Sequence, residues 1–351
     1  MSLLVSKTQI PPQPHQPVDR ERLRDLLEHK ITRYKIVYVA GPAGYGKTTL
    51  LTQWAHSSQW DIAWLSIEAE DNDFERFVRY LVRAWEGVQP EIRETVLGMV
   101  LEGAAPDKDM VLTAFINLAA ETERHIVFVL DDCHLLHDTA IYEGLTFLFD
   151  HLAPMVHFVV ASREEPPLPL ARYRARQEML EIHPQDLQFT LDETAQFLNQ
   201  FMVSKLPDED SMTLHNQLEG WAAGLQLVGL TLQKRLASGE KLVVSGKHRF
   251  IADYLSQDVL APLASEIRLF LLQTSILDRL CGSLCDAVTG QRNGQEMLES
   301  LERQNLFLVA LDDSRIWFRY HQLFGDFLTE ELKRRYPDEV EEFHRRAASW
   351  Y

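Results

Sequence analysis

The sequence predicts an α/β fold: a P-loop NTPase parallel sheet with helices on both faces, followed by a helical domain and a winged-helix domain. Three observations predict it. Residues 34–40 form an apolar run of strand length, residues 41–49 a glycine-rich turn, and residues 50–55 continue as a helix. Further apolar runs of strand length follow, mostly separated by helical patterns, and continuous apolar strands alternating with helices mean a parallel sheet covered on both faces. Near residue 188 the strands give way to helical periodicity.

Residues 5–18 carry four prolines and read as an extended surface arm. Asp19 is placed to N-cap a helix running to about residue 29. The strand candidates after 34–40 are 61–67, 125–132, 156–163 and a weaker one at 179–182. Helices are expected at 74–87, 109–124 and 139–152. Asp71-Asn-Asp73 precedes the first of these and reads as its cap. Thr190 and Glu193 form a capping box that opens a helix to about residue 202. Helices follow at 208–219, 222–237 and 248–260, interrupted only by a short strand candidate at 242–244. From Pro262 the order is three helices, a run at 306–311, a turn at 312–315, a run at 316–320 and a helix at 322–335, which suggests a winged helix. Pro337 starts another helix that reaches Tyr351 without a Gly or Pro stop signal, as expected of a chain that continues. The expected domains are therefore 1–187, 188–260 and 261–336, with 337–351 opening a further helical segment.

At 351 residues the chain is long enough for two or three domains with substantial cores. A net charge of −17 argues against a nucleic-acid surface, which needs clustered Lys and Arg. No stretch has the apolar length of a membrane span, and residues 1–30 do not read as a secretory signal. Three cysteines fit a reducing, cytoplasmic compartment, and Cys281 and Cys285 lack the second pair that a zinc site needs.

The chemistry starts at Gly41, Pro42, Ala43, Gly44, Tyr45, Gly46, Lys47, Thr48 and Thr49, which fit G-x-x-x-x-G-K-[ST] between a strand and a helix. Glycines let the backbone wrap a phosphate with its N–H groups inward, and the helix adds the positive end of its dipole. Lys47 is placed to reach β- and γ-phosphate oxygens, and Thr48 to hold Mg²⁺. The 125–132 strand ends in Asp131 and Asp132, a Walker B pattern that sets carboxylates at the ligand-binding edge of the sheet. Asp131 would hold Mg²⁺ through water, and Asp132 would orient the attacking water. Arg163 ends the next strand and can sense the γ-phosphate; its alternative is a surface ion pair with Glu164 or Glu165. Arg172, Arg174 and Arg176 read either as a finger offered to a neighbouring subunit or as a basic edge paired with acids.

These residues carry a resemblance to the STAND-class ATPases, the signal-transducing P-loop NTPases, and within them to the MalT-like regulators of the LuxR-type large ATP-dependent group. The resemblance covers nearly the whole chain. Besides the P-loop it rests on Leu130 to Leu135, on Gly220 to Leu227 (Gly-Trp-Ala-Ala-Gly-Leu-Gln-Leu) and on Tyr320 to Leu328. It implies a nucleotide-binding domain, a helical domain and a winged helix closing over ADP. His321 matches the family's winged-helix histidine at the ADP β-phosphate, and its alternative is a packed residue at a helix start. Arg20 matches an arginine near the nucleotide, and its alternative is a helix-surface charge. Related proteins touch adenine through Gly-x-Pro; here Gly224-Leu-Gln226 lacks the proline.

The expectation is a regulatory switch that binds ATP or ADP with Mg²⁺. ADP closes it, ATP opens it for self-association, and slow ATP hydrolysis resets it. The family's effector and inducer sensor lie outside these residues. The competing readings are an ordinary P-loop ATPase or kinase, and a non-hydrolysing nucleotide-dependent scaffold.

Overall fold

The computed structural model describes residues 3–13, 17–95, 98, 107–202, 205–237 and 249–351. By internal contacts the chain divides into two compact units. The first is Met1–Gly41 with Gly46–Leu187, and the second is Pro42–Tyr45 with Gln188–Tyr351.

The first unit holds a five-stranded sheet, β1 (Ile36–Ala40), β2 (Asp61–Ser66), β3 (Ile126–Asp131), β4 (Val156–Ser162) and β5 (Met179–Ile182), in the order β2-β3-β4-β1-β5. Every pairing is parallel, with Ala40 opposite Ser162 and Ser66 opposite Asp131. β1, β3 and β4 are buried at every position, as strands covered on both faces require. Around them run α1 (Glu21–Lys30), α2 (Lys47–Ser57), α3 (Phe74–Val88), α4 (Lys108–Glu121), α5 (Thr139–Asp150), α6 (Leu170–Ala175) and α7 (Pro184–Leu187). The core on one face gathers Trp85, Phe115, Phe128 and Phe158, with Phe128 and Phe158 stacked at 4.9 Å. Asp73 caps α3 by accepting from the Arg76 amide at 2.9 Å.

Two local expectations are corrected. The N-cap of α1 is Arg20, and Asp19 instead pairs with Arg24 at 3.0 Å. The arm is not wholly extended: Val5–Thr8 form a 3₁₀ turn, ahead of the first proline at Pro11. Lys7 in that turn is buried; it forms an ion pair with Asp71 and stands 4.6 Å over the Tyr80 ring. Arg76 reaches the other oxygen of Asp71 at 2.9 Å, so a buried carboxylate holds two cations and ties the arm to α3. Arg172 pairs with Asp150, and Arg174 with Glu181 and Glu165, which favours the basic-edge reading of that run.

In the second unit α8 (Leu191–Asn199) starts at the expected capping box, with Thr190 accepting from the Glu193 amide and Glu193 from the Thr190 amide. α9 (Asp208–Leu218) and α10 (Ala222–Ala237) follow. The helix expected at 248–260 is α11 (Arg249–Tyr254) running into a π-helical segment, Leu255–Leu260. The strand candidate at 242–244 lies outside the described residues. The winged helix comprises α12 (Ser265–Thr274), α13 (Gly282–Thr289), α14 (Gly294–Arg303), the antiparallel pair β6 (Leu308–Ala310) and β7 (Phe318–Tyr320), and α15 (Gln322–Arg335). α16 (Val340–Trp350) comes last. Among the described residues no helix is long and apolar enough to cross a membrane.

Candidate nucleotide site

The phosphate-binding segment leaves the carboxyl end of β1, where the Gly41 amide donates to the Ser162 carbonyl at 3.2 Å. Gly44 and Gly46 have φ of +75° and +76°, the left-handed region that glycine adopts without steric cost. Gly46 is the N-cap of α2, so Lys47, Thr48 and Thr49 form its first turn, where the helix dipole favours an anion.

Lys47 is buried and donates to the Gly41 carbonyl at 2.7 Å. Burial pushes its ammonium down to about 8; Arg163 works in the same direction, while Asp132 and Asp131 oppose it. The Thr48 hydroxyl donates to the Asp131 carboxylate. Burial and the neighbouring Asp132 push Asp131 up to about 6, against the pull of Thr48 and Lys47. Asp131 Oδ1 is buried with no hydrogen-bond partner. A buried carboxylate oxygen without a donor, beside a hydroxyl, suits a Mg²⁺ ion or its bound water, so the residues present fit the metal.

Asp132 differs from its neighbour. Its φ of +61° turns the chain out of β3, and its side chain is 40% exposed. Asp131 therefore faces Thr48 of the P-loop while Asp132 opens to solvent. β4 lies between β1 and β3, so Arg163, which follows β4, emerges between the P-loop and the acid pair. Its field lowers both Lys47 and His134.

His134 was not singled out from sequence. Its Nδ1 stands 3.7 Å from Asp132 Oδ1, and burial, aided by Arg163 and Lys47, pushes its imidazole down to about 3. It is a neutral histidine beside the exposed acid, and the available signal was its place two residues after Asp132. Arg20 is buried, and its guanidinium donates to the carbonyls of Leu187 and Asp186.

The tip of the loop, Pro42–Tyr45, groups with the second unit. There the Trp221 indole N–H donates to the Ala43 carbonyl at 3.1 Å, and the Ala223 amide to the Gly44 carbonyl at 2.9 Å. Tyr45 packs edge-on against Phe307 at 6.0 Å. His321, also in this unit, is 1% exposed and packs against Phe307 and Trp221. Its Nε2 donates to the Leu218 carbonyl at 3.2 Å, and its Nδ1 is buried without a partner. Burial lowers its pKa, so the ring is neutral with a lone pair on Nδ1.

The parallel sheet, P-loop and terminal acid pair define an AAA-type P-loop ATPase domain. Residues 18–160 match the AAA ATPase domain family, and residues 256–340 match the MalT winged helix domain. The chain is 37% identical over 99% of its length to the HTH-type transcriptional regulator MalT of Klebsiella pneumoniae. It is 37% identical over 95% of its length to the serine/threonine-protein kinase PknK of Mycobacterium tuberculosis. The chain spans 39% of the first relative and 30% of the second. A Walker-type ATPase of Pyrococcus abyssi shares the fold, with a TM-score of 0.64 at 14% identity over 90% of this chain and 97% of that one. Over nearly its whole length the chain is thus similar to one portion of MalT-type regulators, and its first unit to the AAA ATPase domains.

Proposed function

We propose that the chain is the ATP/ADP-binding switch module of a signal-responsive transcriptional activator. The observation that carries the reading is the pairing of Thr48 with Asp131 beside Lys47, with one buried Asp131 oxygen left over. Lys47 and the amides from Gly44 to Thr49 bind the phosphates, and Thr48 and Asp131 would hold Mg²⁺. A Mg²⁺ ion held there would supply positive charge against the phosphates. Asp132 orients water, with the neutral His134 ring beside it, and Arg163 senses the γ-phosphate. Arg20 and His321 complete the nucleotide site as the family resemblance implies.

The two relatives support a regulatory rather than an effector role. One is a transcriptional regulator and the other a protein kinase, and both contain a region like this one. A region shared by a transcriptional regulator and a protein kinase supports a module that can serve either output. ADP holds the module closed, ATP opens it for self-association, and slow hydrolysis restores the ADP form. The inducer and the DNA target engage other parts of the protein, which works in the cytoplasm. ADP and MgATP titrations with single-turnover hydrolysis test the reading. It predicts tight binding of both nucleotides and turnover well below the typical enzyme range of 1–10³ s⁻¹.

A further inference from the structure

We propose that Trp221 is a positioning residue for the phosphate cradle: its indole N–H, bonded to the Ala43 carbonyl, aims the loop-tip amides at the nucleotide. The proposal deepens the nucleotide-binding reading above and rests on it.

The argument begins with the peptide plane. In a trans peptide the C=O and the following N–H point in opposite directions. Trp221 fixes the Ala43 carbonyl at 3.1 Å, so the Gly44 N–H of the same plane points away from the indole. The Ala223 amide fixes the Gly44 carbonyl at 2.9 Å, so the Tyr45 N–H is turned away in the same manner. Two consecutive tip carbonyls are thus held on one side by residues of one short segment, which leaves two amides for an anion on the other.

The contact is tight. A Cβ added at Gly44 would stand 2.5 Å from the Ala223 Cβ and 2.9 Å from the Trp221 Nε1, so close approach and positive φ both require glycine there. The segment that delivers Trp221 is itself constrained. Gly220 has φ +67°, and a Cβ there would meet the Phe189 carbonyl at 2.5 Å. The Phe189 amide donates to the Gly220 carbonyl at 2.9 Å. Glu219, at φ +48°, accepts two hydrogen bonds from Arg319, at 2.9 and 3.0 Å. Trp221 is fully buried, packed by Tyr254 at 5.6 Å and Phe307 at 5.5 Å. The Gly-Trp-Ala run therefore acts as a clamp on the P-loop tip, and linkage makes the clamp reciprocal: a bound phosphate must also tighten the hold on Trp221.

The test is Trp221→Phe, which keeps an aromatic ring and deletes the N–H. ADP affinity and competition by inorganic pyrophosphate are measured by calorimetry on both proteins. The expected result is a three- to tenfold loss, about what one neutral hydrogen bond is worth, and of equal size for both ligands. Hydrogen exchange of the Trp221 indole N–H in ¹⁵N-labelled wild type, assigned by its loss in the variant or by selective labelling, adds a readout that general packing does not move. ADP should slow that exchange, with Trp54 and Trp64 as internal references. Should Trp221→Phe not fold, the wild-type exchange decides alone. Unchanged affinities in a folded variant, or indole exchange indifferent to saturating ADP, overturn the proposal. A wild type that binds neither ADP nor pyrophosphate overturns the nucleotide reading, and the proposal with it.

Discussion

Thr48, in the first turn of α2, donates its hydroxyl to the carboxylate of Asp131, the last residue of β3. That bond joins the two halves of the nucleotide site in a single contact. It occupies part of Asp131 and leaves Oδ1 buried and unsatisfied, the arrangement a divalent cation would complete.

The pH dependence of metal binding follows from it. Asp131 is raised to about 6 against an ordinary 3.8, so between these values the folded chain holds a proton that the unfolded chain has released. Its contribution to stability without metal therefore falls as pH rises from about 4 to 6. Mg²⁺ needs the ionised form, so the Mg²⁺-dependent part of nucleotide affinity should be present at pH 7 and fade as pH falls through about 6. Nucleotide titrations with and without Mg²⁺ across pH 5–8 check this, and Asp131→Asn should flatten the profile.

Lys47 titrates in the opposite sense. At about 8 against an ordinary 10.5, it is neutral in the folded chain over a window where the unfolded chain keeps it charged. Its contribution to stability of the nucleotide-free protein should rise as pH climbs from 8 to 10. Nucleotide affinity, which uses the ammonium, should weaken over the same window. Lys47→Ala should reduce ADP affinity at pH 7 by roughly a hundredfold or more, because a buried charge-assisted contact to phosphate is lost. Calorimetry reads both effects.

The two acids should separate under mutation. Asp132→Asn removes charge from a partly exposed side chain with little change of shape, so ATP should stay bound while single-turnover hydrolysis slows by on the order of 10²-fold or more. Asp131→Asn should weaken Mg²⁺ dependence as well.

His321 tests the switch. Its Nε2–H is committed to the Leu218 carbonyl, so its unpartnered Nδ1 can donate to a phosphate only after gaining a proton. ADP binding should then take up a proton, visible as a buffer-dependent enthalpy, and His321→Ala should abolish that uptake. The variant should weaken ADP by roughly ten- to a hundredfold, the range for a hydrogen bond to a charged group. It should also raise the self-associating fraction seen by light scattering.

The arm can be tested by stability alone. Lys7→Met breaks the buried pair with Asp71 and should cost roughly 2–4 kcal/mol in denaturant unfolding, at or below the usual range for such a loss because Arg76 still reaches Asp71.

Much of this was legible in the sequence for physical reasons. The P-loop strand, the Thr190–Glu193 capping box and the Asp131–Asp132 strand end are local patterns, and local patterns survive folding. What was missed depends on partners that the local pattern does not name. Asp19 has the chemistry of an N-cap, yet Arg24 draws it away and Arg20 takes the place. Lys7 looked like part of a solvated arm because Asp71, which buries it, is far along the chain. Trp221 read as a mark of resemblance, since nothing local says that its indole meets Ala43.

The nucleotide carried by the purified protein tests the central claim most directly. Protein freed of loose ligand by gel filtration is denatured, and the released nucleotide is identified and counted by chromatography. The account predicts ADP at close to one equivalent per chain, and none from Lys47→Ala. Protein that emerges empty, and takes up neither ADP nor MgATP on incubation, would contradict it.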